Sequence, residues 1–170
     1  MLRVVIALIA FLFAIPVEAS ELWRGATAGE TIDQILARFP EARRNSAPST
    51  LGSGAKCEVH IPSIEVVRRP FEACFYFEDG RLAQVTLSLS QEIKGHSGNL
   101  AFDEVLEALR SRYGSESNLQ RKGGLLTQHS ADWYRPPVNI SLIMIYVGRD
   151  GEVVLNINYQ TRVAKDSANL

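Results

Sequence analysis

The residue types of a hydrolytic triad occur close together at His129, Ser130 and Asp132. They fall in a segment, residues 125–134, that is predicted to be a β-strand. Because successive strand side chains point to opposite faces, Ser130 and Asp132 would share one face and His129 would lie on the other. A triad needs its histidine within hydrogen-bond reach of both partners, so these residues cannot form one among themselves. We predict no catalytic residue, and a small periplasmic hydrolase using His129 or His60 is the alternative.

Metal and cofactor chemistry have little support in the sequence. His60 and His96 lie far apart, and neither has a partner at the spacing of metal ligands. The glycine-rich stretches at 52–54 and 123–124 lack the Lys-Ser/Thr pair of a phosphate-binding loop. We therefore expect neither a metal site nor a cofactor.

The first 19 residues have the pattern of a secretory signal peptide. Arg3 precedes an apolar run over residues 4–15, and we expect cleavage between Ala19 and Ser20. A membrane anchor is the alternative, but the run is well short of the roughly 20 residues that span a bilayer. We predict export to the periplasm or the extracellular space, with no transmembrane segment in the mature chain.

An oxidising compartment permits a disulfide between Cys57 and Cys74, which are the only cysteines in the chain. Both are expected in neighbouring strands. Cys57 shares its face with Val59 and Ile61, whereas Cys74 falls on the more polar face of its strand. A bridge therefore requires a bulge, or a Cys57 that lies just outside the strand. A metal site or a reactive thiol is the less favoured alternative.

The distribution of charge indicates no nucleic-acid partner. The chain has 18 Lys and Arg and 19 Asp and Glu, a net charge of −1, with the two signs interspersed. A basic stripe for nucleic acid or an anionic membrane is absent from the sequence. About 150 residues follow the signal peptide, enough for a single domain over residues 20–163. Residues 164–170 are predicted to be a disordered tail.

Residues 71–90 are predicted to form a β-hairpin around the turn signal Asp79-Gly80. A two-residue loop would mix apolar and polar side chains on both faces. A three-residue loop that includes Glu78 pairs Phe75 with Ala83 and separates the two kinds of side chain, which favours this register. Its apolar face contains Phe71, Ala73, Phe75, Phe77, Ala83, Val85 and Leu87.

A second hairpin is predicted over residues 138–162, with Arg149-Asp150-Gly151 as its turn. The same three-residue loop pairs Val147 with Val153 and Ile145 with Leu155. Its apolar face would then contain Ile143, Ile145, Val147, Val153, Leu155, Ile157 and Tyr159.

Two helices complete the prediction. Apolar residues at helical spacing place one helix at residues 31–39 and another, capped by Asn99, at residues 99–112. Similar elements follow each helix, which indicates a duplication of αβββ units over residues 29–90 and 99–162. We expect a two-layer α+β fold, in which an antiparallel sheet of about six strands carries both helices on one face.

Three stretches of the sequence, residues 29–40, 75–89 and 102–114, share a pattern with a known group of proteins. The pattern is a short helix that ends in an aromatic residue with Pro or Gly, followed by strands around an Asp-Gly turn. In this pattern the chain resembles bacterial envelope proteins of the BamE (SmpA/OmlA) type and the β-lactamase inhibitor protein. The resemblance implies a protein-binding or assembly role. The chain departs from it in lacking a lipid-attachment Cys, and no stretch identifies an inhibitor's target-binding loop.

The strand over residues 138–148 is apolar on its second face as well. If the helices cover Ile143 and Ile145, this second face would be partly open, and it would suit a protein or a lipid-like ligand. The alternative is a central strand that is covered on both sides. The candidate binding residues are Trp133, Tyr134, Ile140, Leu142, Met144 and Tyr146.

The first hypothesis for function is a non-catalytic binding or assembly module with an envelope protein as its partner. The hydrolase and a carrier of a lipid-like ligand are the alternatives. The identity of the partner and the oligomeric state stay open at this point.

Overall fold

The computed structural model describes residues 20–123, 127–147 and 151–161. The predicted signal peptide, the predicted tail, residues 149 and 150 of the second predicted turn, and residues 125 and 126 of the predicted strand over 125–134 lie outside the described residues. The elements in chain order are β1 (Glu21–Trp23), β2 (Ala26–Thr27), α1 (Ile32–Arg38), β3 (Arg43–Arg44), β4 (Lys56–Val66), β5 (Arg69–Glu78), β6 (Arg81–Leu89), α2 (His96–Tyr113), β7 (Asn118–Lys122), β8 (Gln128–Arg135), β9 (Val138–Val147) and β10 (Glu152–Thr161).

The α+β class predicted from the sequence is wrong, because the described chain is mostly β. Strand accounts for 53% of it and helix for 18%. One antiparallel sheet has eight strands, more than the sequence predicted, and β1 and β2 form a separate two-stranded sheet. Apolar periodicity misses the edge strands β3 and β7 because all of their residues are exposed. A strand without a buried face shows no apolar alternation.

The eight-stranded sheet follows the order β3-β4-β5-β6-β10-β9-β8-β7. α1 precedes the first four of these strands in the chain and α2 precedes the last four, so the two halves have the same order of elements. The halves meet where β6 pairs with β10, from Ser88 opposite Asn156 to Gln84 opposite Gln160. A common origin of the halves remains a prediction.

The turn between β5 and β6 differs from the predicted one. Glu78 pairs with Arg81, so the loop contains only Asp79 and Gly80. Both loop residues have positive φ, 50° and 73° respectively. This is the backbone that a two-residue hairpin turn requires, and Asp-Gly is a favoured pair for it.

A bulge at Ala83 reconciles the short turn with the apolar pattern. Phe77 pairs with Leu82, and after the irregularity Phe75 pairs with Val85. The predicted register is therefore wrong, and Leu82 takes the place of Ala83 on the buried face. The inserted residue returns the following apolar residues to the side of the core.

The predicted register of β9 and β10 is also wrong, by one residue. Val153 pairs with Tyr146 and Leu155 pairs with Met144. Because strand side chains alternate, a slip of one residue moves a whole strand face to the other side of the sheet. The side chains of this hairpin that are buried together are Ile140, Leu142, Met144, Val153, Leu155, Ile157 and Tyr159.

One face of the sheet forms the main core, and both helices pack on it. α1 contacts β4, and α2 contacts β8, β9 and β10. The helices contribute fully buried Ile35 and Phe102 to a single cluster with the strands. Within that cluster one continuous cross-strand row consists of Val59, Phe75, Val85, Tyr159, Ile140 and Trp133.

The predicted disulfide between Cys57 and Cys74 is confirmed, with Cα atoms 5.7 Å apart. The register of β4 and β5 shifts between Cys57 and Val59, and Cys57 pairs with Tyr76. This bulge is the irregularity that the sequence requires for the bridge. The disulfide lies in a second, smaller cluster with Ala55 and Tyr76.

Reduction of this disulfide is expected to lower the free energy of unfolding by about 3 kcal/mol, since the bridge closes a loop of moderate length in the unfolded chain. Urea unfolding of the mature chain, with and without dithiothreitol, measures the difference. The double variant Cys57→Ala/Cys74→Ala is the control and should not respond to the reductant. An equal loss of stability in that variant on adding dithiothreitol would contradict the assignment.

α2 approaches β10 closely at Gly98. A Cβ built on Gly98 would lie 2.5 Å from Val153 Cγ2, so the helix could not pack at this distance with any other residue. Asn99, predicted as the helix cap, lies inside α2, where its side-chain oxygen is 3.2 Å from the Tyr146 hydroxyl oxygen.

Gly98→Ala is expected to destabilise the protein by about 1–3 kcal/mol through overpacking, although Ala favours a helix by about 1 kcal/mol over Gly. Thermal unfolding measures the effect. Val153→Ala in the same chain should recover part of the loss, because it removes the methyl groups that clash. Gly52→Ala, where a Cβ would meet nothing within 4 Å, is the control. A Gly98→Ala protein as stable as wild type would disprove the close contact.

Candidate functional site

The face of the sheet opposite the helices is open over β8, β9 and β10. Along β9 and β10 its side chains alternate with the buried ones, and most are exposed or partly exposed. At the other end of the sheet, residues 49–56 lie over the same side: Ser49 Oγ is 3.2 Å from the Tyr76 hydroxyl, and Leu51 packs against the disulfide cluster. We call the β8–β10 part the open face.

A row of hydrogen-bonded polar side chains crosses the open face and continues onto β6 and β7. Ser141 Oγ donates to Asp132 Oδ1 at 2.6 Å, and Asn118 Nδ2 donates to Asp132 Oδ2 at 3.2 Å. Thr86 Oγ1 donates to Asn158 Oδ1 at 2.9 Å. Cross-strand bonds of this kind hold side chains in fixed positions, so the row presents an ordered polar surface.

An apolar patch lies further along the same face, beyond the cross-strand pair of Ile143 and Asn156 that separates it from the polar row. Ile145, Val147 and Val154 are 37%, 46% and 43% exposed. Val154 pairs with Ile145, and Val147 lies two residues further along the strand of Ile145, so the three side chains are neighbours on one face. We call these three residues the open-face patch. Single exposed apolar side chains are ordinary on a protein surface; these three are contiguous, which makes them the candidate interaction site.

The structure places most of the predicted binding residues in the core. Ile140, Leu142 and Met144 are at most 2% exposed, and they face the side of the sheet that α2 covers. Trp133 is also buried, and its Nε1 donates to the Gly114 carbonyl at 2.8 Å. The expectation that their face is partly open is therefore wrong, because the helices cover that face and leave the side of Ile145 open.

The two predicted tyrosines lie in different environments. Tyr134 is 44% exposed and pairs with Asn139 at the end of the open face, where the chain turns at Pro136-Pro137. Tyr146 is partly buried, and its hydroxyl donates to the Gly95 carbonyl at 2.7 Å, which ties β9 to the start of α2. Of the six predicted residues, Tyr134 alone combines exposure with a position on the open side.

The histidines of the alternative hydrolase hypothesis lie apart. His129 is buried beneath α2, with its ring 5.4 Å from that of Phe102 in an edge-on arrangement. His60 Nδ1 lies 2.8 Å from Glu72 Oε1 on the other side of the sheet. Within the described residues, no group of three or more His, Cys, Asp or Glu side chains could hold a metal ion.

Sequence reasoning missed the open-face patch because it placed Ile145 and Val147 on the buried side. The signal was present in the run over residues 143–147, which is apolar at every position. A hairpin loop one residue longer than the predicted one would have assigned Ile145 and Val154 to the exposed side.

Comparison of the chain with models of protein families, with curated proteins and with solved structures gave no match in any of the three. The functional reading therefore depends on the geometry of the chain itself.

Stability should fall in mild acid because of His129. Burial lowers the pKa of His129 below its usual 6.5, and the Arg121 guanidinium lowers it further, whereas Asp103 opposes the shift. As the pH falls below 6.5, the unfolded state binds a proton that the folded state does not bind. The free energy of unfolding should then decrease by up to about 1.4 kcal/mol per pH unit until the folded-state pKa is reached.

Urea unfolding between pH 7.5 and 4.5 measures this slope. His129→Gln removes the titrating group and should flatten the dependence just below pH 6.5, whatever its stability at pH 7.5. The same slope in wild type and His129→Gln would show that His129 is not the group responsible.

Proposed function

We propose that the mature chain is a non-catalytic protein-binding module of the bacterial cell envelope, which binds its partner through the open face. The observation that carries this proposal is the open-face patch, three adjacent β-branched side chains on an uncovered strand pair that also carries the polar row. An apolar centre with a polar rim is the usual anatomy of a protein interface.

The shape of the surface favours a protein over a small ligand. Ile145 and Val154 belong to paired strands of a continuous sheet, and the surface they form is broad. Small molecules bind in concave sites that enclose most of their surface. A partner protein can instead cover the patch and bond to the fixed donors and acceptors around Asp132 and Asn158.

Two observations support an exported module. The Cys57–Cys74 disulfide is compatible with an oxidising compartment, and the first 19 residues have the pattern of a signal peptide. Within the described part of the chain, neither helix has the length and apolar character needed to cross a membrane. The resemblance to BamE-type proteins and to the β-lactamase inhibitor protein would imply the same role and is part of the proposal.

Val154→Asp is expected to abolish binding of the partner, because it places a charge at the centre of the apolar patch. The partner can be captured by a photo-reactive residue at position 145 of the mature chain in intact cells and identified by mass spectrometry. Binding of that protein to wild type and Val154→Asp is then measured with purified components, and a loss of at least about tenfold is expected for a central interface residue.

Leu100→Asp is the matched control, since Leu100 is 49% exposed but lies on α2. It should leave binding unchanged, and both variants should retain the wild-type circular dichroism spectrum. Capture of a second copy of this chain would reassign the patch to a dimer interface, which sedimentation would confirm. Equal binding by Val154→Asp and wild type would disprove the proposal.

A further inference from the structure

On the helix side of the sheet, a groove runs between α2 and the β1–β2 hairpin. One part, which we call the inner part, is a cavity of about 380 Å³, and the other, which we call the mouth, is a neighbouring cavity of about 410 Å³. Trp23 and Arg112 line both cavities. We call the combined space the α2 groove. Each part is within the ~300–1,000 Å³ range of small-molecule sites.

The inner part of the α2 groove is apolar. Leu87 and Ile157 form its floor, Val105 and Leu109 of α2 form one wall, and Val66 lines the other side. Leu87 and Ile157 face each other in paired central strands. The backbone groups of the floor are therefore engaged in the sheet, and an occupant would meet side chains with few hydrogen-bonding groups.

The mouth of the α2 groove is cationic. Arg24, Arg112 and Arg135 line it, and Glu21 is the one carboxylate among its described lining residues. The Glu21 carboxylate already accepts a hydrogen bond from the Gly25 amide at 3.0 Å. The described lining of the mouth thus has three arginines and one carboxylate, and Glu41 and Glu65 line the adjoining cavity that also contains Arg24 and Arg112.

Two of these arginines have no ion-pair partner among the residues that the structure describes. Within the described residues, neither Arg112 nor Arg135 has a carboxylate within 4.0 Å, whereas Arg24 lies 3.8 Å from Glu41. A Cβ built on Gly114 would lie 3.5 Å from Arg135 Nη2, so Arg135 reaches the end of α2, two residues beyond Arg112. The Gly114 carbonyl, which would repel an anion, is occupied by the Trp133 Nε1 hydrogen bond at 2.8 Å.

From these observations we infer that the α2 groove binds a long-chain carboxylate, with the carboxylate at Arg112 and Arg135 and the acyl chain along Leu87 and Ile157. An arginine guanidinium binds a carboxylate through paired, charge-assisted hydrogen bonds. Cleavage before Ser20, which also lines the mouth, would add a terminal ammonium group.

An acyl chain fits the inner groove better than a peptide does. A peptide in that space would bury amide groups against aliphatic side chains, where they would lose their hydrogen bonds to water without replacement. An acyl chain has no such groups, and its transfer from water to the apolar lining is favourable along its whole length. The α2 groove lies on the opposite side of the sheet from the open-face patch, so this site is additional to the proposed protein interface.

Fluorescence titration of the mature chain with cis-parinaric acid, an 18-carbon fluorescent carboxylic acid, tests the inference. Saturable binding at one site per chain is expected, with displacement by laurate at least tenfold more effective than by 1-dodecanol and no displacement by butyrate. Absence of saturable binding would overturn the inference. Equal displacement by 1-dodecanol would show that the arginines play no part, and displacement by butyrate at laurate concentrations would show a simple anion site; either result overturns it.

Arg112→Gln should weaken laurate about tenfold or more, because it removes a charge-assisted pair, and should leave 1-dodecanol unchanged. Arg43→Gln, an exposed arginine on the edge strand β3, is the matched control and should bind like wild type. Val66→Trp should fill the groove and weaken both compounds equally. An Arg112→Gln protein that binds laurate like wild type would overturn the inference. Val154→Asp should retain full binding of laurate, so this site and the protein interface can fail separately.

Discussion

The pairing of β6 with β10 is the contact on which the rest of the structure depends. It joins the two halves of the chain over five consecutive residue pairs, and it carries the buried row from Val85 to Tyr159. Each half by itself is too small to bury its apolar surface. Continuing one sheet across this pair lets α1 and α2 share a single core. On the other side of the same pair, the Thr86–Asn158 hydrogen bond extends the polar row from β10 onto β6.

One-sided packing then determines which strand surfaces are exposed. Both helices cover the same face, so the opposite face of β8–β10 remains uncovered. Around the disulfide, at the other end of the sheet, the segment that carries Leu51 covers that side instead. The helix layer is itself incomplete, because α2 and the β1–β2 hairpin leave a groove between them. A broad surface and a narrow groove thus arise on the two sides of the same central strands.

Several parts of the fold could be predicted from local sequence. The Cys57–Cys74 bridge and its need for a bulge followed from residue type and strand parity. α1 was predictable because Thr31 and Gln34 form a capping box and apolar residues recur at helical spacing. The positions of both hairpins followed from their Asp-Gly signals. The registers of the two hairpins could not be predicted in the same way, because the Ala83 bulge and the length of the loop after Val147 depend on which side of each strand the helices cover.

The sequence by itself determined the long strands β4, β5, β6, β8, β9 and β10, the disulfide and the chemical character of the faces of these strands. Only the tertiary structure decided which of two apolar faces of β9 is buried. Ile143, Ile145 and Val147 are as apolar as Ile140, Leu142 and Met144, so hydrophobicity could not choose between them. The choice came from α2, whose Gly98 packs directly on Val153 and so places the helix over the second set. Residues distant in the chain therefore determined which surface is exposed. The sequence of a strand shows which side chains share a face, but it does not show which of the two faces a helix will cover.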